Sequence, residues 1–291
     1  MLAPRLHVSY IHAALAFALT ATAATAQPTS ITFTQRAPAV GDQSELTIAV
    51  DFQLTTTSRA GKQVLGQSET KLRRDHKRVV TTTALGPTGP IAATVSYAQA
   101  EQSVNDGPSD PEPVVGKTYY CERRGERLVV TTEAGALPPL DEYKIVATNM
   151  ETLGKKNPLA EYFAGRTVTV GEELELPLEL AGRLLGFDKQ LAVAKRFSLK
   201  LKSIENVGGE PCAVFQTRID AGSGGRGQMG LMVGGPLVMQ AAGCRTVSAE
   251  LNGPIGMSES QVTAGGSRQI TGVGKMKVSL GSRYRSTTLR R

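Results

Sequence analysis

Three glycines in the second half of the chain stand at the spacing of a dinucleotide-binding loop. Gly222, Gly224 and Gly227 follow the strand-like run CAVFQTRI and match the pattern G-x-G-x-x-G. That fingerprint needs a helix after the glycine turn, because the helix N-terminus faces the pyrophosphate. The residues that follow, QMGLMVGGPLVMQAAG, contain further glycines and a proline that would interrupt a helix repeatedly. The pattern therefore predicts a loop or bulge in a β-sheet and no nucleotide cofactor.

The segment after these glycines is apolar and rich in methionine. Met side chains adapt to irregular apolar surfaces, so the segment is either a strand buried in the core or a surface that accommodates a greasy ligand. We favour core packing and keep ligand contact as the alternative. The residues that would contact such a ligand are Met229, Leu231, Met232, Val233 and Met239.

The sequence contains few residues that could serve as a catalytic base or nucleophile. His76 is the only histidine after residue 26, which excludes a histidine cluster for zinc and leaves one candidate base for a Ser-His or Cys-His pair. It lies in the charged run KLRRDHKR, which predicts a solvated side chain on a strand face. Cys121 precedes ERRGER, where arginine could lower the thiol pKa, but a buried or bridged strand cysteine is the better interpretation.

Two other short motifs match chemistry by spacing alone. The sequence SETK, Ser68 to Lys71, has the S-x-x-K spacing of penicillin-interacting serine enzymes, but it lies in a strand-like region without the accompanying motifs. Asp106, Asp110 and Glu112 are potential oxygen ligands, but their loop contains two prolines and lacks the ligand spacing of a calcium site. We therefore predict no catalytic, cofactor-binding or metal-binding residues.

The first 26 residues have the layout of a secretory signal peptide. A basic residue, Arg5, precedes an apolar run, and Ala24-Thr25-Ala26 before Gln27 forms an A-x-A cleavage site. We expect cleavage between Ala26 and Gln27 and a periplasmic or extracellular protein. No later apolar run approaches the ~20 residues of a transmembrane helix.

The charge and aromatic content of the chain limit the classes of molecule that it is expected to bind. The formal net charge is +7, and the charges are dispersed along a chain with no Trp and 5% aromatic residues. Few aromatic side chains are available for base stacking, so nucleic acid is not an expected partner. The cysteines are odd in number: Cys121, Cys212 and Cys244. In an oxidising compartment two of them are expected to pair, and we favour Cys212 with Cys244, which flank the glycine-rich segment.

Alternation with a period of two dominates the chain. Leu46, Ile48, Val50, Phe52 and Leu54 are apolar at every second position, which predicts a strand with one buried face. The same rhythm returns at Phe197 to Leu201 and at Met276 to Leu280. Between these regions the spacing predicts helices over residues 141–153, 157–164 and within LELAGRLLGF, the last one stopping at Gly186.

These elements predict an α+β, mainly β fold: one or more long antiparallel, curved sheets, or a half-barrel, with a few mid-chain helices. We expect a β-rich half over 27–137, a helical connector over 138–187 and a second β-rich half over 188–291, or one continuous domain over 27–291. The runs PAVGDQSELTI, VTVGEELELPL and, more loosely, PVVGKTYYCE echo one another. Either the two halves are duplicated or these runs only share turn chemistry.

This layout resembles the uncharacterised exported β-rich proteins of Gram-negative bacteria. More remotely, it resembles the half-barrel of periplasmic lipoprotein carriers, through the strand at 46–54, the helices near 141–153 and 157–164, and the strands at 190–220 and 268–284. The resemblance implies a curved sheet around helices with an apolar cavity for acyl chains. The chain departs from the carriers in its length and its glycine-rich segment.

The leading hypothesis is a non-catalytic exported protein that binds an apolar or amphiphilic ligand, a lipid, a lipoprotein or another envelope component on the concave face of a sheet. A structural or scaffolding envelope protein with a solid core is the alternative. An exported enzyme that uses Cys121 or a carboxylate pair is a second alternative.

Overall fold

The computed structural model describes residues 28–185, 193–222, 228–263 and 266–286. The helices are α1 Leu140–Asn149, α2 Pro158–Phe163 and α3 Leu178–Leu185. The strands are β1 Ser30–Thr32, β2 Gln43–Ala60, β3 Gln63–Gly86, β4 Gly89–Val104, β5 Asp110–Pro111, β6 Thr118–Arg124, β7 Arg127–Thr132, β8 Thr167–Thr169, β9 Glu173–Glu175, β10 Val193–Val207, β11 Glu210–Gly222, β12 Gln228–Gln240, β13 Arg245–Thr263 and β14 Gly266–Arg285. The predicted signal peptide lies outside the described residues.

Twelve of these strands form one antiparallel sheet. Its order is β7-β6-β4-β3-β2-β14-β13-β12-β11-β10-β9, with β5 beside β4, whereas β1 and β8 form a separate pair. The two β-rich halves meet where β14 pairs with β2, in a continuous register from Gln43 opposite Arg285 to Ala60 opposite Arg268. The mainly β fold with long antiparallel strands and few helices is therefore confirmed. Among the described residues, no helix has the length and apolarity that a bilayer crossing requires.

One face of the sheet carries the apolar side chains and is covered by the helices at both ends. We call it the inner face. Because side chains alternate along a strand, the inner face includes Leu46 to Leu54 at every second position of β2, and Met276, Val278 and Leu280 opposite them on β14.

The C-terminal half packs its inner face against α2, α3 and the β1–β8 pair. The rings of Phe33, Phe163 and Phe215 form a fully buried cluster, with centroids 4.7 to 6.2 Å apart. The helix α2 is positioned by its N-cap, Asn157, whose side-chain oxygen accepts a hydrogen bond from Leu159 N at 3.0 Å. Aromatic side chains thus fix the helices on this half of the sheet.

The N-terminal half packs against α1 and the turns that follow it. Val146, Met150 and Leu153 are buried against the β4–β6–β7 side of the sheet. The helix itself ends at Asn149, earlier than the predicted 153, and the chain continues to Leu153 in hydrogen-bonded turns. At its first turn, Glu142 is buried and accepts hydrogen bonds from Tyr119 Oη and Lys117 Nζ, each at 2.6 Å, so its charge is paired.

The three echoing sequence runs share a type II turn. Gly41, Gly116 and Gly171 occupy the third turn position with φ of 88°, 75° and 95°, which a residue with a side chain rarely adopts. In each case the glycine N–H and the following residue's carbonyl bond to one residue of a neighbouring strand: Thr82, Tyr97 and Leu201, respectively. The echo is thus shared turn chemistry that docks each turn on the sheet.

A line of glycines crosses the inner face of the C-terminal half. A Cβ on Gly235, Gly253 or Gly274 would lie within about 2 Å of a carbonyl oxygen on the adjacent strand. Backbone therefore approaches backbone along β12, β13 and β14 at a distance that only glycine permits.

Gly253→Ala is expected to destabilise the protein by ~2 kcal/mol or more, since the new methyl would overlap Met232 O, 1.8 Å away, and the sheet would have to shift. Gly256→Ala on the same strand is the matched control, because a Cβ there meets nothing within 4 Å. Urea unfolding measures both. Equal free energies of unfolding for the two variants would contradict the close approach.

Candidate ligand-binding face

The middle of the inner face is only partly covered. Ile48, Val50, Phe52 and Leu54 on β2 and Leu280 on β14 are half-buried, whereas the inner-face side chains of β11 and of β4 on either side are mostly buried. The helices cover the two ends of the sheet and leave these central side chains partly accessible. We call this row the apolar groove.

A row of basic side chains borders the apolar groove. On β3, Arg74, His76 and Arg78 lie on the inner face, directly opposite Val50, Ile48 and Leu46 of β2, respectively. Their neighbours Arg73 and Lys77 point to the other face, where they pair with Asp75 and Glu45 at 2.8 and 2.9 Å. The expectation that the KLRRDHKR run is a solvated strand face is therefore wrong for His76 and Arg78, which are buried, whereas Arg74 lies on the inner side of the strand but remains exposed.

Two of the three inward basic residues share a carboxylate. Glu112 Oε1 accepts hydrogen bonds from Arg74 at 2.9 Å and lies 3.1 Å from His76 Nε2. Arg74 Nε lies 3.0 Å from His76 Nε2, so the three side chains form one contact cluster. His76 is buried, not solvated as predicted. Burial, opposed by the hydrogen bond with Glu112, lowers the His76 pKa, and the positive charges of Arg74 and Arg78 lower it further.

Arg78 has a different environment. The residue is 8% exposed, and its buried Nε has no hydrogen-bond partner among the residues that the structure describes. It lines a cavity of about 360 Å³ between the inner face of the N-terminal half and the turns after α1, together with Leu46, Thr82, Asn149 and Leu153. This cavity adjoins the start of the apolar groove at Leu46.

A larger cavity of about 790 Å³ lies close by and is predominantly basic. Its charged side chains are Arg36, Glu45, Lys77, Glu210, Arg245, Arg283 and Arg285. Arg245 and Tyr284 line both cavities, and the Arg245 guanidinium stacks 4.7 Å above the Tyr284 ring. The surroundings of the smaller cavity therefore have a positive electrostatic potential.

The predicted ligand-adaptable segment forms strand β12. Leu231, Val233 and Met239 are buried in the core, Met229 is half-buried, and Met232 is 51% exposed. Strand alternation thus divides the five residues, and three of them pack against the other strands and helices of the C-terminal half.

The predicted disulfide between Cys212 and Cys244 is not formed in the structure. All three cysteines are free and buried. Cys212 pairs in register with Gln240 and its thiol donates to Glu210 O at 3.5 Å, whereas the Cys244 thiol lies in a turn and donates to Thr34 O at 3.7 Å. Burial raises the pKa of each thiol, that of Cys121 to about 12, so the protonated form dominates at neutral pH.

The remaining sequence motifs do not converge on one cleft. Ser68 bonds to Thr56 within the sheet at 2.7 Å, and Asp106 pairs with Lys71 at 2.5 Å. The described residues hold no cluster of metal-ligating side chains. Gly222 ends β11 and pairs with Gly230 of the next strand, so a strand, and no helix, follows the glycine-rich segment; residues 223–227 lie outside the described residues.

The inward basic row was missed at the sequence level, although a signal for it exists. Leu72 lies within the charged run and Val80 lies two residues after it, and both have the same parity as Arg74, His76 and Arg78. An alternating interpretation of the run would have placed the even-numbered charges on the face of these apolar residues.

Comparisons with known proteins show no family. No protein-family model matches the chain, and no curated protein matches it in sequence. A solved structure of lipovitellin, described for its lipid–protein interactions, aligns with 84% of this chain at 9% identity and a TM-score of 0.37. The match spans 26% of the lipovitellin chain. An outer membrane channel from Pseudomonas putida F1 aligns at 10% identity over 84% of this chain and 97% of the channel, with a TM-score of 0.14.

Because His76 is buried, we expect the free energy of unfolding of the protein to fall in mild acid. The pKa of His76 is lower in the folded protein than the ordinary value near 6.5, so the unfolded chain takes up the proton first as the pH falls. We expect the free energy of unfolding to drop between about pH 7.5 and about pH 5.5, and to drop less in His76→Gln. Chemical denaturation at the two pH values measures this. An equal drop in both proteins would contradict the buried neutral histidine.

Proposed function

We propose that this protein is a non-catalytic binding protein that holds an apolar or amphiphilic ligand in the apolar groove of the inner face. The observation that carries the proposal is the half-buried state of Ile48, Val50, Phe52 and Leu280 at the joint of the two halves, whereas the inner-face side chains of β4 and β11 on either side are mostly buried. Apolar side chains in that position are stabilised when a ligand removes them from water.

The borders of the groove support an amphiphilic ligand. One side continues into the packed core of the C-terminal half through Met276 and Val278, which are buried. The other side is the basic row of β3, which lies one strand away from the groove. A ligand with an apolar body and a polar end would contact both surfaces at once.

The cysteines do not support an enzyme. Cys121 is fully buried and its thiol is held in the protonated, unreactive form. Glu112 is the carboxylate in contact with His76, and its Oε1 lies within ion-pair distance of both Arg74 and His76. Each of these groups has a structural partner or is inaccessible, which favours binding over catalysis.

A structural role in the envelope is the second candidate. Its support is the tight packing of both ends of the sheet, where the two buried clusters around Phe163 and Tyr97 fill the space beneath the helices. A purely structural protein would bind no ligand in the groove, so one binding experiment separates the two functions.

Binding of N-phenyl-1-naphthylamine, an uncharged fluorescent probe of apolar sites, tests the proposed function. Val50→Trp would fill the groove and is expected to weaken probe binding by about tenfold or more, equivalent to ~1.4 kcal/mol. Thr47→Trp is the matched control, since Thr47 is exposed on the opposite face of the same strand. Fluorescence titration of the purified protein measures both. Absence of probe binding by the wild type would leave the structural role.

We further propose that the protein is exported and processed between Ala26 and Gln27. Expression of the full chain in a Gram-negative bacterium, followed by intact mass measurement of the periplasmic fraction, is expected to give a chain that begins at Gln27. Alkylation without reductant should then modify three cysteines after denaturation, because all are free thiols in the structure. An unprocessed mass in the cytoplasm would contradict export.

A further inference from the structure

We propose that the ligand is an amphiphile with a single acidic headgroup, a carboxylate or a phosphate, and that Arg78 binds this headgroup in the 360 Å³ cavity. This inference rests on the proposed function and names the ligand class of the same site. Arg78 would hold the headgroup, and the apolar groove would hold the chain.

The first observation is the isolation of the Arg78 charge. The residue is only 8% exposed, and among the described residues its buried Nε has no hydrogen-bond partner and no carboxylate forms an ion pair with its guanidinium. A guanidinium stays charged in proteins, and a buried charge without a counterion is strongly unfavourable. An anionic ligand in the cavity would supply the missing counterion.

None of the carboxylates among the described residues pairs with Arg78. Glu112 contacts Arg74 and His76 through Oε1, and its buried Oε2 has no hydrogen-bond partner among these residues. Asp42, the one acid among the described residues that line the cavity, accepts a hydrogen bond from Ala39 N at 2.9 Å in its own turn. The other charged residues of the lining, Lys155 and Arg245, have the same sign as Arg78. The cavity therefore favours an anion over a neutral or cationic headgroup.

The second observation is the position of Arg78 at one end of the apolar groove. It lies opposite Leu46 in β2, and the apolar row continues from Leu46 to Leu54 along the same face. At ~3.4 Å per residue, this row is about 27 Å long, which is sufficient for an extended fatty-acyl chain. A headgroup at Arg78 therefore leaves the chain lying along the groove.

The hydrogen-bonding geometry of the Arg78 guanidinium indicates which class of headgroup it would bind. Its planar fork forms paired hydrogen bonds with carboxylate or phosphate oxygens, and these charge-assisted bonds are strong in a site shielded from water. The cavity volume of about 360 Å³ is within the range of small-molecule sites. It can hold the headgroup and the first atoms of the acyl chain, so the rest of the chain would lie in the apolar groove.

Three ligands with one chain length test the inference: decanoic acid, decyl phosphate and 1-decanol. We expect the wild-type protein to bind the acid or the phosphate at least about tenfold more tightly than the alcohol in isothermal titration calorimetry. Arg78→Met should bind the anionic ligands only as tightly as the alcohol, and Arg78→Lys should retain part of the preference. A preference for one anion over the other identifies the headgroup as carboxylate or phosphate.

Arg73→Met is the matched control, because Arg73 is a basic residue of the same strand that points to the opposite face, pairs with Asp75 and lines neither cavity. It should keep the wild-type preference. Arg78→Met should also raise the melting temperature of the unliganded protein, since it removes an isolated buried charge; a role of Arg78 in folding alone would lower it.

The outcomes separate the two levels of the proposal. If the wild type binds none of the three ligands, the proposed function fails together with this inference. If it binds all three equally, or if Arg78→Met keeps the preference for the anions, the headgroup inference is wrong and the apolar groove stands.

Discussion

The pairing of β14 with β2 is the constraint on which the rest of the structure depends. It joins the last described strand to the first long strand over eighteen residue pairs, from Gln43 with Arg285 to Ala60 with Arg268. Without this pairing each half would be a separate sheet with one more open edge. With it, the inner faces of both halves become one surface, and the helices must share that surface.

The apolar groove exists because the helices must cover the joined inner faces of both halves. The described residues between β7 and β10 provide three helices. These helices pack over the two ends of the sheet, where large side chains such as Phe163 and Met150 anchor them. The strands at the joint, β2 and β14, lie between these two covered regions. The apolar inner-face residues of β2 from Leu46 to Leu54, and Leu280 of β14, are therefore neither fully buried nor solvated. Such residues are unfavourable in a protein without a partner and useful in one that binds apolar molecules.

Charge on the inner face is the second unusual feature. Native proteins rarely bury arginine unless it is paired. Here one strand supplies three inward basic residues, and one carboxylate from the β5 region neutralises part of them. This unequal distribution leaves Arg78 without a counterion among the described residues, at the boundary between cavity and groove. This arrangement links the electrostatics of the site to its apolar surface, and neither feature alone would define a ligand class.

The sequence by itself determined the strands, the helices and the turns, because period-two alternation, the Asn157-Pro158 cap and the Gly41-type turns are local properties. The residue types also argued against a dinucleotide-binding loop and excluded a metal site built from a cluster of histidines. Only the tertiary structure decided which strands became neighbours, and hence that β14 meets β2 and that Arg74, His76 and Arg78 face the groove. It also decided that Cys212 and Cys244 do not pair, since each thiol is held by a different main-chain carbonyl. Strand order and the burial of a charged side chain depend on residues far apart in the chain, and local periodicity carries no information about those distant partners.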